Sequence, residues 1–426
     1  MSRVAVVGTG YVGLTTGAFL ARLGHDVLCA DVVAEKVAML NGGRIPIVEE
    51  GLEGLVREGL ASGRLRFVLG AAAAVPGQEF VFLCVPTPQR PDGSADMSYI
   101  VDAATEIGPV LEPGSVVINK STVPVGSTRV VERALARPDV AVVSNPEFLR
   151  EGSAIHDCEH PDRIVIGADD EAAAIRVAAL FDQVRAPVMV TDPASAETIK
   201  YASNAFLATK ISFINAVANL CEAVGADVKD VVLGMGYDRR IGFEFLKPGP
   251  GWGGSCLPKD TRALVRIGED AGYDFSLLRG VIEVNDEQRS RVLAKIATMV
   301  GGPLEEAQVA VWGLTFKART DDRRQSPAVA IAAALVAAGA RVRAYDPTVR
   351  GPQPDLAGIE LCDDPYQACE GASVLALLTE WDELRWLDFD KVRSVMASPC
   401  LVDARNLLEP ASMRLAGFRY LGMGRQ

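Results

Sequence analysis

The chain predicts an α/β protein with two Rossmann-like parallel-sheet domains joined by a helical connector that contains a long central helix. Three observations predict it. Short β-rich runs, RVAVVG, DVLCAD, EFVFLCVP, GSVVINKST, DVAVVSNP and RIVIG, alternate with helical stretches at the start of the chain, and near-continuous apolar strands separated by helices indicate a parallel sheet covered on both faces. From Pro193 the pattern becomes one long helix, with Asp192 as its cap, Pro193 in its first turn and Gly225 as its stop. After Gly301, Gly302 and Pro303 the alternation returns in AQVAVWGL, RVRAYDP, SVLALLTE, CLVDARN and FRYLGMG, with Ser326 to Ala340 as the first crossover helix. The expected domains are 1–192, 193–300 and 301–426.

The 426 residues exceed the roughly 250–300 at which single cores stop growing. A formal net charge of −12 with no basic block argues against a nucleic-acid surface, although helix N-termini can still hold phosphate within an acidic protein. The N-terminus runs straight into a strand pattern without signal-peptide features, and the apolar stretch from Ala328 to Ala340 falls short of the ~20 residues needed to cross a bilayer. A cytoplasmic protein with no membrane partner is expected. The eight cysteines include no C-x-x-C pair, so neither a metal site nor a disulfide framework is indicated.

Gly8, Gly10 and Gly13 form G-x-G-x-x-G directly after the strand RVAVV and at the opening of a helix running towards Leu23. In that context the glycines serve a tight turn, the approach of a pyrophosphate and close helix–strand packing. Asp31 closes the next strand at the spacing of a carboxylate that accepts from ribose hydroxyls, favouring NAD over NADP. FAD stays open on this fingerprint alone. The second chemical signal is Pro248-Gly-Pro-Gly-Trp-Gly-Gly-Ser-Cys256-Leu-Pro-Lys259-Asp260. Glycines let backbone press against a ligand, and a nearby Lys and a helix start after Pro258 would raise the thiolate fraction of Cys256. The bland alternative is a buried cysteine beside a turn.

Several segments in order, GTGYVGL, CVPTP, STVPVGST, NPEFLREGSAIHD, HPDRIVIG, ETIKYASNAFLATKISFIN, GGSCLPKD and GLTFKARTDDRRQSP, resemble the UDP-glucose and GDP-mannose dehydrogenase family over the whole chain. The resemblance implies a four-electron, NAD-dependent oxidation in which Cys256 forms a thiohemiacetal and then a thioester that water releases as an acid. It implies that Lys200 and Asn204, one turn apart on the long helix, hold the reacting oxygen and a water, that Asp260 manages protons with them, and that Thr122 and Glu147 surround the water. Glu147 is the general base if burial raises its pKa. By spacing alone, Lys200 and Asn204 could be an ordinary polar face, Thr122 a cap and the glutamates solvated.

The same resemblance extends the cofactor set to Tyr11, Val12, Lys36, Pro86, Thr87, Thr122, Glu151, Lys259 and Arg324. It places Phe148, Leu149, Arg150, Phe245, Leu246, Lys247, Gly253, Phe316 and Lys317 around the nucleotide sugar, with Trp252 near the base and Arg405 at the uridine ribose. Arg240 matches a residue given across a dimer interface, and a homodimer through the long helix is implied. GGSCLPKD is shared by the UDP-glucose and GDP-mannose branches and lacks the Val-Asp-Pro ending of enzymes for N-acetylated sugars. STVPVGST and HPDRIVIG look more like the UDP-glucose branch, making UDP-glucose the expected substrate and GDP-mannose the alternative. A two-electron dehydrogenase with a structural Cys256, or a non-catalytic dinucleotide-binding protein, are the more distant alternatives.

Overall fold

The computed structural model describes residues 1–305 and 307–425. The chain divides into two compact units, Met1–Ser203 with Arg262–Ala271, and Asn204–Thr261 with Gly272–Gln426.

The first unit contains an eight-stranded sheet of β1 (Arg3–Val7), β2 (Asp26–Asp31), β3 (Leu65–Leu69), β4 (Phe80–Leu83), β5 (Val116–Asn119), β6 (Ala141–Ser144), β7 (Ile164–Gly167) and β8 (Val188–Thr191), in the order β3-β2-β1-β4-β5-β6-β7-β8. Its pairings are parallel except at β6–β7, joined antiparallel through Ser144 and Gly167. The six strand runs read from the sequence are present. The sequence reading lacks β3 and β8, the two edges: β3 alternates buried and exposed residues, and Val188, Met189 and Val190 of β8 are exposed. Interior strands β1, β4, β5 and β7 are buried along nearly their whole length because helices cover both faces.

The second unit contains a six-stranded parallel sheet of β9 (Gln308–Trp312), β10 (Arg341–Tyr345), β11 (Ile359–Leu361), β12 (Val374–Leu377), β13 (Cys400–Asp403) and β14 (Arg419–Leu421), in the order β11-β10-β9-β12-β13-β14. Here the three-residue edge strand β11 is the one missing from the sequence reading. The crossover helix is Pro327–Ala337, and Ser326 Oγ caps it by accepting from the Ala328 and Val329 N–H groups. Two buried clusters fill this sheet's faces, one around Val309, Val311 and Leu335, the other around Trp312, Leu375 and Leu401.

The two sheets repeat one turn. Gly8 follows β1 with φ +94°, and its N–H donates to Ala30 O at 2.8 Å; Gly313 follows β9 with φ +89°, and its N–H donates to Tyr345 O at 2.8 Å. In each, the next N–H donates to a carboxylate at the end of the second strand: Thr9 to Asp31, the last residue of β2, and Leu314 to Asp346, the residue directly after β10. A side chain at Gly8 would meet Cys84 O at 2.6 Å, and one at Gly313 would overlap Thr379 Cβ, so both turns need glycine twice over.

The long helix runs Pro193–Val224. Asp192 Oδ1 accepts from the Ser195 N–H at 2.8 Å, and Gly225 follows the last turn at φ +76°, the start and stop expected from the sequence. Among the described residues this helix, rather than Ala328 to Ala340, is the one long and apolar enough by length and composition to cross a membrane. It nonetheless carries Glu197, Lys200 and Asn204 as buried side chains engaged in hydrogen bonds.

Gly13 lies in the helix Tyr11–Arg22, and a Cβ there would overlap Gly8 O and stand 2.9 Å from Cys84 Cβ. Gly13→Ala is expected to cost about 1–3 kcal/mol through overpacking, read as a lower urea midpoint with an unchanged m-value.

Candidate active site

In the first unit the turn after β1 leaves Gly10 with no atom within 4 Å of the point a Cβ would occupy, so its backbone face is open to a phosphate at the N-terminus of Tyr11–Arg22. Asp31 accepts from Thr9 N–H (3.1 Å), Thr9 Oγ1 (2.5 Å), Lys36 Nζ (2.9 Å) and, through Oδ1, Val33 N–H (3.1 Å). Burial works against its charge, but these donors win and bring its pKa down to about 2. A fixed anion there suits ribose hydroxyls. Lys36 is thereby occupied by Asp31. Val12 is half-buried and Pro86 exposed in the loop after β4, while Thr87 is buried and donates through Oγ1 to Thr122 O at 2.8 Å. Tyr11 donates to Glu49, a buried carboxylate that also accepts from the Gly152 and Ala154 N–H groups. Glu151 is half-buried in the same loop.

Glu147 and Lys200 meet at 2.8 Å, each about 95% buried. Burial pushes the Glu147 carboxyl up, but the Lys200 charge and hydrogen bond, the Leu149 N–H and Lys120 outweigh it and hold it below the usual value. The condition set from the sequence for Glu147 as general base, a raised pKa, is therefore not met; its partner ammonium reverses the effect of burial. Phe148 lies under the Arg163 guanidinium, 3.7 Å from the ring centroid, with Lys200 Nζ at 5.5 Å. Arg150 is tied to Asp157.

Two buried groups here escaped the sequence reading. Lys120, next to STVPVGST, donates to Asn145 Oδ1 at 3.0 Å, and burial pushes its pKa down. Glu197 accepts from the Gly126 and Thr128 N–H groups and Thr128 Oγ1, fixing the Thr122 loop at the N-terminus of helix Ser127–Leu135. Neither residue type at those positions signals a role until its partner is known; the i, i+3 spacing of Glu197 and Lys200 was the only available hint.

The helix Leu257–Asp270, whose first turn belongs to the second unit, begins directly after Cys256, whose carbonyl accepts from the Asp260 N–H at 2.9 Å. The helix thus starts before Pro258, earlier than the sequence placed it, and Cys256 is its capping residue. Asp260 is fully buried; Asn204 Nδ2 donates to its Oδ2 at 2.6 Å and Lys259 Nζ to its Oδ1 at 2.7 Å. Lys259, expected at the cofactor, is an ion partner of Asp260.

Phe245 adopts φ +63°, a costly conformation for an aromatic residue, and stays half-buried beside the exposed Lys247. Leu246 and Trp252 correct the sequence reading. Leu246 packs with Ile214, Ala218 and Val228, and Trp252 with Ala208 and Val281, its indole N–H donating to Ser212 Oγ at 2.9 Å. Both side chains are core because the Gly-Pro loop turns them inward. Gly253 is required by Gln325 O, which a methyl would overlap. Phe316 and Lys317 are half-buried, with Lys317 Nζ 5.5 Å from the Phe316 ring. Arg405 donates to Leu378 O and Phe316 O, so it braces the Phe316 turn. Arg324 pairs with Asp322 and Arg240 with Asp238, both on the surface.

Comparison with known families covers nearly all of this. The NAD binding domain of the UDP-glucose/GDP-mannose dehydrogenase family matches residues 2–185, its central domain 194–287 and its UDP binding domain 310–410. The chain belongs to the UDP-glucose/GDP-mannose dehydrogenase family. A UDP-glucose 6-dehydrogenase of Rhizobium meliloti is 46% identical over 99% of both chains, and one of Bacillus subtilis 44% identical over all of this chain and 94% of its own. Among solved structures, a UDP-glucose dehydrogenase from Pyrobaculum islandicum superposes with a TM-score of 0.91 at 38% identity, covering 100% and 98% of the two chains. A GDP-mannose dehydrogenase from Pseudomonas aeruginosa gives 0.55 at 30% identity, over 99% of each. Members of the family are NAD-dependent oxidoreductases whose known reaction is a four-electron oxidation, and the open Gly10 turn beside the ionised Asp31 fits NAD.

The Glu147–Lys200 pair yields a test. Lys200→Met leaves a buried carboxylate without its partner, a loss of about 3–5 kcal/mol at neutral pH. In the native protein the depressed Glu147 pKa gives stability that is present above the ordinary carboxylate range and lost as pH falls through the folded value. In the variant burial dominates and raises that pKa, so stability is expected to increase as pH falls towards the acid range. Urea unfolding of both proteins from neutral pH down to about pH 3 should show the Lys200→Met protein gaining stability as pH falls towards about 4.5 and the native protein losing it below that value.

Proposed function

We propose that this chain oxidises C6 of UDP-glucose to the carboxylate of UDP-glucuronate, with Cys256 as nucleophile. The observation that carries the reading is Cys256 at the N-terminus of Leu257–Asp270, one turn before a fully buried Asp260 held by Asn204 and Lys259. The partial positive charge of a helix start favours thiolate over thiol. An aldehyde has no hydride to give until a nucleophile adds to its carbonyl, so a thiolate at C6 is what lets one site perform two oxidations.

NAD, when bound, supplies the hydride acceptor, held by the Gly8–Gly13 turn and Asp31. Lys200 and Asn204, one turn apart on one helix, donate to the oxygen where negative charge develops, first as alkoxide and then in the thiohemiacetal. Asp260 takes up and returns the proton through this set. Thr122 orients the water that cleaves the thioester, and Glu147, kept ionised by Lys200, accepts a hydrogen bond from that water. The division into 1–192, 193–300 and 301–426 corresponds to cofactor binding, the cysteine loop with dimerisation, and nucleotide binding, and the three family matches support it. UDP-glucose is favoured by the names and identities of the relatives, and the Lys-Asp ending of GGSCLPKD disfavours N-acetylated sugars.

A homodimer belongs to the same reading. Phe206, Phe213 and Leu220 recur every seven residues on the long helix and are exposed, a stripe that a second copy would cover. Arg240, whose side chain is 88% exposed, is available to a neighbouring subunit. All eight cysteines are free thiols, consistent with the reducing cytoplasm.

Counting NADH against UDP-glucose, GDP-mannose and N-acetylated UDP-sugars tests substrate and reaction together. Two NADH per UDP-glucose are expected, and Cys256→Ser should lower acid formation by about 10³-fold or more. One NADH per sugar, turnover surviving Cys256→Ala, or preference for GDP-mannose would overturn the respective part. Phe213→Arg should shift the protein from dimer to monomer in sedimentation velocity.

A further inference from the structure

We propose that Asn285 and Gln288 are positioning residues that fix Cys256 by clamping the backbone of its loop; the inference rests on Cys256 as nucleophile. The loop Pro248–Gly254 is buried, lies outside regular secondary structure and has two prolines without N–H groups, so its backbone must find partners elsewhere. Two helices supply them with amide side chains. On Ser276–Val300, Asn285 Oδ1 accepts from the Trp252 N–H at 2.7 Å while its Nδ2 donates to Trp252 O at 3.2 Å. One side chain thereby makes the pair of bonds a neighbouring strand would make. Gln288 Nε2 donates to Gly249 O at 2.9 Å, and the Gly249 N–H donates to Asn215 Oδ1 at 2.8 Å from the long helix.

The clamp is itself fixed. Asn219 Nδ2 donates to Gln288 Oε1 at 3.0 Å, and Ser212 Oγ, which accepts from the Trp252 indole, donates to Val281 O at 2.8 Å. Asn285 and Gln288 are 1% and 0% exposed, and a Cβ at Gly251 would come within 2.7 Å of Asn285 Oδ1. Amide and loop therefore fit at one register. Cys256 follows Trp252 by four residues, with Gly253 and Gly254 between; without the clamp the loop would keep the Gly254 N–H bond to Arg324 O at 3.0 Å and its helix end, leaving the sulfur less closely placed. Misplacement by about 1 Å costs on the order of 10²-fold in rate.

Asn285→Asp keeps the size and the acceptor for the Trp252 N–H but replaces the donor that faces Trp252 O; Asn285→Ala removes both. The full-length enzyme with saturating NAD would be assayed for kcat and KM, and iodoacetamide labelling of Cys256 would be followed by peptide mass spectrometry across pH, with Cys256→Ser as blank. Expected are kcat lowered by about 10²-fold, KM for NAD within a factor of about two, and Cys256 labelling that is slower and shifted in its pH profile. A purely structural amide would lower the melting point and leave the labelling profile of the folded fraction unmoved. Gln288→Met, which loses a single bond to Gly249 O, gives a milder version if the Asn285 variants do not fold. Wild-type kcat and labelling in folded Asn285→Ala, or in Gln288→Met where that is the folded variant, overturn the proposal. If instead Cys256→Ser turns over normally, the nucleophile reading fails while the labelling profiles still report on the clamp.

Discussion

Asp260 has no exposed surface, and both of its oxygens are taken, one by an amide and one by an ammonium. A buried carboxylate needs each oxygen satisfied, and removing one partner from a buried ion pair costs about 3–5 kcal/mol. The requirement reaches outward. The helix must begin at Leu257 for Asp260 to turn inward on its first turn, and Cys256 is then its capping residue. Lys259, next in sequence, is drawn to the same carboxylate. In the first unit Glu147 obeys the same rule, and Lys200 answers it. The long helix thus commits one ammonium and one amide, a single turn apart, to two buried acids.

Most of the scaffold was legible because its signals are local. The glycine turn, the capping Asp192, the stop at Gly225 and the interior apolar strands each announce themselves within a few residues. The strands missed were β3, β8 and β11, all edges, where one side faces solvent and the apolar run is short or broken. The antiparallel β6–β7 junction was hidden for a related reason: strand direction is a property of the connection and leaves no mark in composition.

The site was legible where chemistry is concentrated and opaque where it depends on neighbours. Cys256, Lys200, Asn204 and Asp260 stand in recognisable segments. Lys120 and Glu197 look like ordinary charges until Asn145 and the Gly126–Thr128 backbone are seen around them. Glu147 shows the limit of reasoning from burial alone, because the sign of its shift is set by a lysine 53 residues away. Trp252 misleads in the opposite direction: an aromatic in a glycine loop reads as a ligand platform, yet the loop turns it into the core.

The repeated turn after β1 and β9 ends at two carboxylates with different fates. Asp31 keeps Oδ1 near the surface, where it accepts from the Val33 N–H. Asp346 is 1% exposed; beyond the Leu314 and Thr315 N–H groups it receives the Trp381 indole on Oδ2 and the Thr348 N–H and hydroxyl on Oδ1. One anion keeps an oxygen near solvent, and the other has been walled in as masonry. Two copies of one architectural plan have in this way become chemically unequal: the first leaves a carboxylate oxygen near solvent, and the second has committed both of its oxygens to its own fold.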